Sequence, residues 1–355
     1  MKKRILAGIL VLSSLLIISG CGRKEEDHTV KLGVMTTGFT LPLQYAAEKG
    51  YFEELGLDVE VEFFSNGPAI NEAIASGDID VAGIGEMPAI IGALANNSKV
   101  VAWMTDDEAS IQGWARNDSD IVKAGKGNVE DYPEIYGTKE TWMGKDIVCT
   151  KGTSSHYGLL ATLTALGLKE EDVNIINMEG TQGAAAFASG TGDVFYGFDP
   201  QWGLFYEDPE NYTQVATCQN SGRGLFTVLI ASESFESTRG EDLTKVIQAM
   251  LKAKEEFRND SALYESAMYD WQNTYGSCSE TLASYSAQIK EIKTLEEQRA
   301  IFEGEENATP MYKSMEEVAQ FLVDNSAISE EDKEKLLNKE VITSKYLFEA
   351  IDQVK

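Results

Sequence analysis

Apolar and polar positions in the first part of the chain recur with the periods of strands and helices. Val59 to Phe64 (VEVEFF) alternates apolar with acidic residues, which predicts a strand with one face in water. Pro68 to Ser76 begins with a proline and is followed by Gly77, which predicts a helix with a glycine cap. Strands separated by helices indicate βαβ units and a mostly parallel sheet. We predict strands at Val30–Met35, Val59–Phe64, Ile79–Gly83 and Lys99–Met104, and helices at Leu41–Lys49, Pro68–Ser76 and Met87–Asn96.

This rhythm breaks once and then resumes in a second block. Between Asn117 and Gly144 the sequence is rich in turn residues (NDSD, AGKGN, GTKE), which predicts a long loop. Beyond it we predict strands at Asp146–Cys149, Val173–Asn177, Val194–Gly197, Tyr212–Thr217 and Leu225–Ser232, and helices at Ser155–Leu166 and Gln182–Ser189. From Glu241 onward the pattern is almost wholly helical. The chain therefore divides into two α/β blocks and a helical tail.

The first residues have the pattern of an export signal. Three basic residues at positions 2–4 precede an apolar run from Ile5 to Ile18, which is short for a membrane span. The junction ISGC, which ends at Cys21, resembles a bacterial lipobox, in which the cysteine is lipidated and becomes the first residue of the mature chain. We therefore predict a signal peptide at residues 1–20, lipidation of Cys21 and a polar tether over residues 21–29. An ordinary secretory peptide with a chance cysteine is the alternative.

Composition and charge exclude several classes of partner. Hydrophobic residues make up 43% of the chain and charged residues 25%, the balance of a soluble globular protein. The formal net charge of −28 argues against DNA or RNA as a partner, because such binding depends on neutralising phosphates with basic residues. Two histidines and the lack of a Cys-x-x-Cys pair leave little material for a zinc site, so neither a metal nor a cofactor is expected. Cys149, Cys218 and Cys278 allow at most one disulfide in the mature chain.

Residues 151–157 (KGTSSHY) form the strongest local signal, because they lie between a predicted strand and a predicted helix. A small, hydroxyl-rich turn that opens a helix leaves backbone N–H groups free at the positive end of the helix dipole, which suits an anion. The hydroxyls of Thr153, Ser154 and Ser155 would add further donors. The alternative is a plain N-cap, in which Ser154 or Ser155 satisfies the first turn. The motif alone leaves both interpretations open.

Four segments together resemble the nitrate/sulfonate/taurine-type family of ABC-transporter substrate-binding proteins, and they occur in the order typical of that family. They are GYFEELGLDVEVEFF (residues 50–64), ASGDIDVAGIGEMPAI (75–90), GTSSHYGLLATLTALGL (152–168) and GDVFYGFDPQW (192–202). The resemblance runs from about Val30 to about Ser232. The lipobox suits a lipid-anchored member of this family.

The resemblance implies an α/β fold with two lobes, of the periplasmic-binding-protein type II, with a ligand cleft between the lobes and a helical C-terminal tail. The implied boundaries are 30–115 for the first part of lobe 1, 116–220 for lobe 2, and 221–355 for the return to lobe 1 and the C-terminal helices. The loop at 118–144 is longer than the family pattern. It is interpreted as a surface insertion, with a lid or a transporter-docking feature as the alternative.

Ligands in such folds bind beyond the carboxyl ends of strands, so the loops after predicted strands supply the candidate site. In taurine binders of the family an Asp that corresponds to Asp199 takes the ligand amine, and an N-capping or hinge role is the alternative. Trp202 either walls the pocket or belongs to the core, and His156 either donates to the anion or is an ordinary histidine. Glu86, as a second acidic group, would favour a cationic or zwitterionic ligand. The predicted ligand-binding residues are Thr37, Gly38, Phe39, Glu86, Met87, Thr153, Ser154, Ser155, His156, Asp199 and Trp202.

By resemblance, the chain is expected to be a receptor for a small organic anion or zwitterion of the sulfonate or taurine kind. It would deliver this ligand to an ABC permease and its ATPase, as a monomeric, non-catalytic lipoprotein anchored outside the bacterial cell membrane. Phe39, Tyr157, Phe198 and Trp202 also suit a thiamine-pyrimidine or other heteroaromatic precursor. An enzyme of the thiamine-pyrimidine-synthase-like branch of the fold is disfavoured because the sequence has no cysteine cluster. A lipid-anchored adhesin or sensor is a third class.

Overall fold

Two five-stranded sheets form the framework of the computed structural model, which describes residues 29–275, 278–305 and 307–354. The predicted signal peptide and Cys21 lie outside these residues. The strands are Val30–Met35 (β1), Val59–Phe64 (β2), Val81–Gly85 (β3), Lys99–Asp106 (β4), Gln112–Arg116 (β5), Asp146–Cys149 (β6), Asn174–Asn177 (β7), Val194–Gly197 (β8), Tyr212–Thr217 (β9) and Phe226–Ala231 (β10).

Both sheets have the same arrangement, in which one strand runs against the others. The first sheet has the order β2-β1-β3-β10-β4, and β10 is antiparallel to both of its neighbours. The second has the order β7-β6-β8-β5-β9, and here β5 is the antiparallel strand. The remaining pairs, β1 with β2 and β3, and β6 with β7 and β8, are parallel. Four of the five strands in each sheet run in the same direction, but half of the strand pairs are antiparallel, so both sheets are mixed instead of mostly parallel.

The sequence pattern did not indicate strand β5. Its position shows where the chain crosses from the first sheet to the second. Trp114 of β5 lies opposite Phe195 of β8, so this strand belongs to the second sheet. The chain passes from the first sheet to the second between Asp106 and Gln112 and returns between Thr217 and Phe226. The first crossing therefore comes before the predicted boundary at residue 116, which is the last residue of β5.

Helices cover the faces of both sheets and form the C-terminal tail. They are Leu41–Glu48 (α1), Tyr51–Glu54 (α2), Gly67–Ser76 (α3), Glu86–Asn96 (α4), Asp120–Ala124 (α5), Lys139–Trp142 (α6), Ser154–Ala165 (α7), Gly180–Ala188 (α8), Gly203–Tyr206 (α9), Glu233–Thr238 (α10), Gly240–Asn259 (α11), Ser261–Tyr275 (α12), Glu280–Gln288 (α13), Leu295–Phe302 (α14), Pro310–Asp324 (α15), Glu330–Leu337 (α16) and Lys345–Val354 (α17). None of those formed by the described residues has the length and hydrophobicity needed to cross a bilayer.

Helix α3 shows how local sequence sets the bounds of an element. The side chain of Asn66 accepts a hydrogen bond from the backbone N–H of Ala69 at 3.0 Å, and Pro68 lies in the first turn. Gly77 ends the helix in the left-handed conformation, with φ of 80°, which a residue with a Cβ adopts at a cost. The predicted helix and its glycine cap are confirmed.

The long loop between β5 and β6 is folded against the edge of the second sheet. It contains α5 and α6, and Trp142 at the end of α6 is fully buried. The indole N–H of Trp142 donates to the carbonyl of Tyr136 at 2.8 Å, and the N–H of Tyr136 donates to the carbonyl of Val215 on β9 at 2.9 Å. These contacts tie the loop to the outer strand of that sheet.

The C-terminal tail touches both lobes. On α12, the indole N–H of Trp271 donates to the carbonyl of Thr37, which follows β1, at 3.1 Å. The next residue, Gln272, donates to the carboxylate of Asp199, which follows β8, at 3.0 and 3.1 Å. The tail therefore bridges the ends of the two sheets instead of only completing the first lobe.

The three cysteines in the described part of the chain are free. Cys149, Cys218 and Cys278 are each buried, and no disulfide joins any two of them. Burial raises the pKa of the Cys149 and Cys218 thiols above their ordinary values, which keeps them protonated at neutral pH. The pairing that the sequence left open is absent among these residues.

Candidate functional site

A narrow cavity lies between the two lobes, at the ends of strands from both sheets. Its volume is about 10 Å³ when counted as room for the centre of a water molecule, so the lobes are closed on each other. Its wall is formed by both lobes, by the tail and by the crossing segment, which is residues 107–111 between β4 and β5. The lining residues are Met35, Thr37, Phe39, Gly67, Gly85, Pro88, Asp107, Ser110, Thr153, Ser154, Phe198, Asp199 and Lys290.

Thr37 presents a free hydroxyl from the loop after β1. Its carbonyl is held by the indole N–H of Trp271 at 3.1 Å and by the hydroxyl of Thr40 at 2.9 Å, so the backbone is fixed. The Oγ1 atom is buried and has no hydrogen-bond partner among the described residues. An unpartnered buried hydroxyl is costly, and a ligand oxygen would compensate it. Phe39, two residues on, adds an apolar wall to the same cavity.

The first turn of α7 forms the wall on the side of the second lobe. No side chain caps this helix, because the Thr153 hydroxyl donates instead to the carbonyl of Thr150 at 2.7 Å. The plain N-cap interpretation is therefore not what the structure contains. Ser154 lies against Gly85 so closely that a Cβ on this glycine would come within 2.2 Å of the serine Oγ. The positive end of the α7 dipole and the Ser154 hydroxyl thus face the cavity together.

Asp199 is held by donors from the tail. Its carboxylate accepts hydrogen bonds from Gln272 at 3.0 and 3.1 Å and from the hydroxyl of Ser286 at 2.6 Å. The ammonium of Lys290 lies 3.2 Å from Asp199 Oδ2, and both side chains are almost fully buried. The oxygens of Asp199 are therefore occupied by the chain itself, which favours the structural interpretation of this residue. Gly38 packs beside it, since a Cβ there would lie 3.1 Å from Asp199 Oδ2.

Two further charged residues reach the cavity, and neither is among those predicted from the sequence. Lys290 follows α13, and its Nζ makes no well-directed hydrogen bond despite the ion pair with Asp199. Asp107 follows β4 and accepts a hydrogen bond from the Ser110 hydroxyl. Burial raises the pKa of Asp107 to about 6, while the charge of Lys290 acts in the opposite direction. The cavity wall thus carries one lysine and two carboxylates.

Glu86 and Met87 lie behind the cavity instead of lining it. Glu86 Oε2 accepts hydrogen bonds from the N–H of Phe226 and from the hydroxyl of Ser314, both at 2.9 Å. Its Oε1 is buried without a partner, and burial raises the pKa of Glu86 to about 7. Met87 is part of the hydrophobic core. These residues join α4 to β10 and α15.

Ser155, His156 and Trp202 are also not among the residues that line the cavity. His156 Nε2 lies 3.0 Å from Glu170 Oε2, and burial lowers the pKa of this histidine below its ordinary value, against the opposing effect of Glu170. Trp202 stacks on Trp114 with ring centroids 6.2 Å apart, and its indole N–H donates to the Ser110 carbonyl at 2.9 Å. Ser155 is buried, and its Oγ has no partner. Of the residues predicted from the sequence, the cavity brings together Thr37, Phe39, Thr153, Ser154 and Asp199.

One signal in the sequence points to Asp107, and none points to Lys290. Strand β4 continues to Asp106, two residues beyond its predicted end, so Asp107 occupies the same kind of strand-end position as Thr37. Lys290 lies in the turn after α13, within a polar stretch that the sequence predicts to be helical and whose pattern does not indicate which residue turns inward. No group of three or more His, Cys, Asp or Glu side chains in the described ranges is placed to hold a metal ion.

Two α/β lobes with a cavity between their strand ends define the periplasmic-binding-protein architecture. The chain belongs to the NMT1/THI5-like family, whose model matches residues 39–261. It is 26% identical over 335 residues to a protein of Brachyspira hyodysenteriae named as an ABC transporter periplasmic binding protein. The match covers 92% of this chain and 93% of that one. It is also 24% identical over 211 residues to the taurine-binding periplasmic protein of Escherichia coli, over 59% of this chain and 61% of that one.

Solved structures show the same fold. The alkanesulfonate-binding protein of Xanthomonas axonopodis pv. citri, bound to MOPS, superposes with a TM-score of 0.68 at 17% identity. The match covers 89% of this chain and 98% of that one. The predicted fold class and the resemblance to substrate-binding proteins of ABC transporters are both confirmed.

Proposed function

We propose that this chain is an extracytoplasmic solute-binding protein of an ABC importer, which captures a small organic anion or zwitterion. The observation that carries the proposal is the cavity, where the free Thr37 hydroxyl, the Ser154 hydroxyl, the start of α7 and the Lys290 ammonium converge. These are donors suited to an oxyanion. A permease and an ATPase in the membrane are the partners that such a protein serves.

A sulfonate or taurine-like compound is the ligand class that this proposal names. Relatives that carry a ligand in their names include the taurine-binding protein, and an alkanesulfonate-binding protein shares the fold. The anionic group would meet the hydroxyls and the first turn of α7, and the hydrocarbon part would lie against Phe39 and Phe198. Because the closed cavity has room for about one water molecule, such a solute enters only when the lobes separate.

A thermal-shift screen followed by calorimetry tests the proposal. The panel contains taurine, longer aminosulfonates, ethanesulfonate and longer alkanesulfonates, and nitrate. A ligand present at 100 times its Kd adds about 2.7 kcal/mol to the free energy of unfolding, so a true ligand raises Tm clearly. Stabilisation by a member of this panel supports the proposal, and a panel without any stabilising member contradicts it.

Ser154 and Ser155 offer a matched pair of variants at the start of α7. We expect Ser154→Ala to weaken the best ligand of the screen roughly tenfold to a hundredfold, because a hydroxyl that binds a charged group contributes about 1.5–3 kcal/mol. Ser155→Ala removes a hydroxyl that does not line the cavity and is expected to leave Kd unchanged. Calorimetry on both variants checks this, and equal effects of the two would contradict the assignment of the cavity wall.

The lipid anchor is a second part of the proposal, and it rests on Cys21, outside the described residues. We expect Cys21→Ala to move the protein from the membrane fraction to the soluble fraction or to leave it unprocessed. Mass spectrometry of the mature N-terminus measures the modification directly. An unmodified N-terminus at another residue in the wild type would show that the lipobox interpretation is wrong.

A receptor for a thiamine-pyrimidine or other heteroaromatic precursor is the second candidate. The observation that favours it is the pair of phenyl rings, Phe39 and Phe198, on the cavity wall, since aromatic rings stack with one another. Adding the pyrimidine to the screen separates the candidates, because an oxyanion is absent from it. An enzymatic role has less support, because the named relatives are binding proteins and all three described cysteines are buried.

A further inference from the structure

Two side chains of opposite charge line the cavity without forming an ion pair with each other. Asp107 is 4% exposed and Lys290 is 1% exposed. Ser110 donates to Asp107 Oδ1, and none of the described residues donates a hydrogen bond to Oδ2. The Lys290 ammonium carries three N–H donors, and its ion pair with Asp199 at 3.2 Å uses none of them in a well-directed hydrogen bond.

Buried charges of this kind need compensation. Removing a carboxylate or an ammonium from water is costly unless an opposite charge and hydrogen bonds replace the lost solvent. Asp199 has Gln272, Ser286 and Lys290 for this purpose, whereas Asp107 has the Ser110 hydroxyl and the charge of Lys290, with which it forms no ion pair. Asp107 is therefore the cavity carboxylate without a cation in direct contact.

We propose that the cavity selects zwitterions, and that Asp107 binds the ammonium end of the ligand while Lys290 and Thr37 bind the anionic end. This inference rests on the proposed function and narrows its ligand class to compounds such as ω-amino sulfonates and ω-amino acids. It assigns amine recognition to the crossing segment between the sheets and leaves Asp199 as the residue that positions Lys290. It also gives the tail a direct role in recognition, because Lys290 lies beyond the matched region 39–261.

Matched ligand pairs test the inference on the wild-type protein. Taurine and ethanesulfonate share the anionic group, and so do β-alanine and propionate, while only the first member of each pair has an ammonium. We expect calorimetry to give a Kd at least about tenfold lower for the amino compound in one of the pairs. A hydrogen bond to a charged group typically changes Kd by about this factor. This comparison does not depend on whether any variant folds.

Two variants then locate the amine site. Asp107→Asn keeps an oxygen for Ser110 and removes the charge, so we expect it to abolish the preference for the amino compound over the plain anion. Asp199→Asn is the matched control, and we expect the preference to persist in it. A preference lost in Asp199→Asn but kept in Asp107→Asn would overturn the assignment.

The failures of the two proposals are distinguishable. If wild-type protein binds ethanesulfonate or propionate as tightly as the corresponding amino compound, zwitterion selection is overturned and the receptor function stands. If it binds none of these four compounds and only members of the panel without an ammonium, the same conclusion follows. If no anion or zwitterion of either set binds, the proposed ligand class and this inference are both wrong.

Discussion

A Lys290→Met variant is expected to lose about 3–5 kcal/mol of unfolding free energy, because removing one partner of a buried ion pair leaves the other charge uncompensated. Lys290 and Asp199 lie 3.2 Å apart and are almost fully buried, and the charge of Lys290 also acts on Asp107 on the same wall. Methionine fits the volume of the lysine stem, so the change removes charge without opening a large cavity. Denaturant unfolding monitored by circular dichroism measures the difference.

Two controls show whether the buried charge is the cause. Lys335 pairs with Glu331 at 2.8 Å on the surface of α16, and Lys335→Met is expected to leave the free energy of unfolding nearly unchanged. The double variant Asp199→Asn with Lys290→Met is expected to recover part of the lost stability, because Asp199 no longer carries a charge. A Lys290→Met variant as stable as the wild type would show that the pair is not buried as described.

Replacing Glu86 with glutamine is expected to raise the free energy of unfolding above neutral pH. The gain is up to about 3 kcal/mol, because a difference of one pKa unit between the folded and unfolded states corresponds to about 1.36 kcal/mol. Burial raises the pKa of Glu86 from 4.5 to about 7 in the folded state, so the folded chain holds this proton more tightly than the unfolded chain does. Between these two values stability falls as pH rises, and above pH 7 the loss is complete. Glutamine keeps an oxygen for Phe226 and Ser314 and cannot ionise.

The pH profile itself provides the control for Glu86→Gln. Unfolding free energies of wild type and variant, measured from pH 4.5 to 8, are expected to converge at the acidic end and to separate as pH rises. Asp107 has a pKa of about 6 and titrates in both proteins, so its contribution cancels in the difference. A difference that stays constant with pH would mean that Glu86 is not the titrating group.

The parts of the site that the sequence predicted are those fixed by local structure. Thr37 follows β1 and Ser154 opens α7, so a strand end and a helix start, both visible in the pattern, place them at the cavity. Glu86 meets the same local criterion but turns to Ser314 on α15, a contact formed across 228 positions of sequence. Strand-end position therefore predicts the neighbourhood of a residue, and the direction of its side chain depends on distant partners.

Lys290 could not be predicted because its position depends on tertiary packing. It is 91 residues from Asp199 in the sequence, and the helical pattern of the tail fits many ways of packing on the lobes. The role of Asp199 could not be predicted either, since the same sequence motif suits both amine binding and a structural role. Only the placement of Gln272 and Ser286 reveals that the tail already occupies its oxygens. Strand β5 could not be predicted for a related reason. It is short, an acidic turn precedes it, and its partners β8 and β9 are distant in the sequence.

Helix α12 gives the cleft a mechanical constraint. Trp271 is bonded to Thr37 in one lobe, and its neighbour Gln272 is bonded to Asp199 in the other. If α12 moves as a rigid rod, the lobes cannot separate at this point while both bonds hold, so one of the two must break at each opening. Lys254 of α11 donates to the carbonyl of Trp103 in the first lobe, whereas the N–H of Ser279 before α13 donates to Glu207 in the second, so the tail is held to both lobes on either side of α12. A separation of the lobes would therefore pull on α12 from both of its ends.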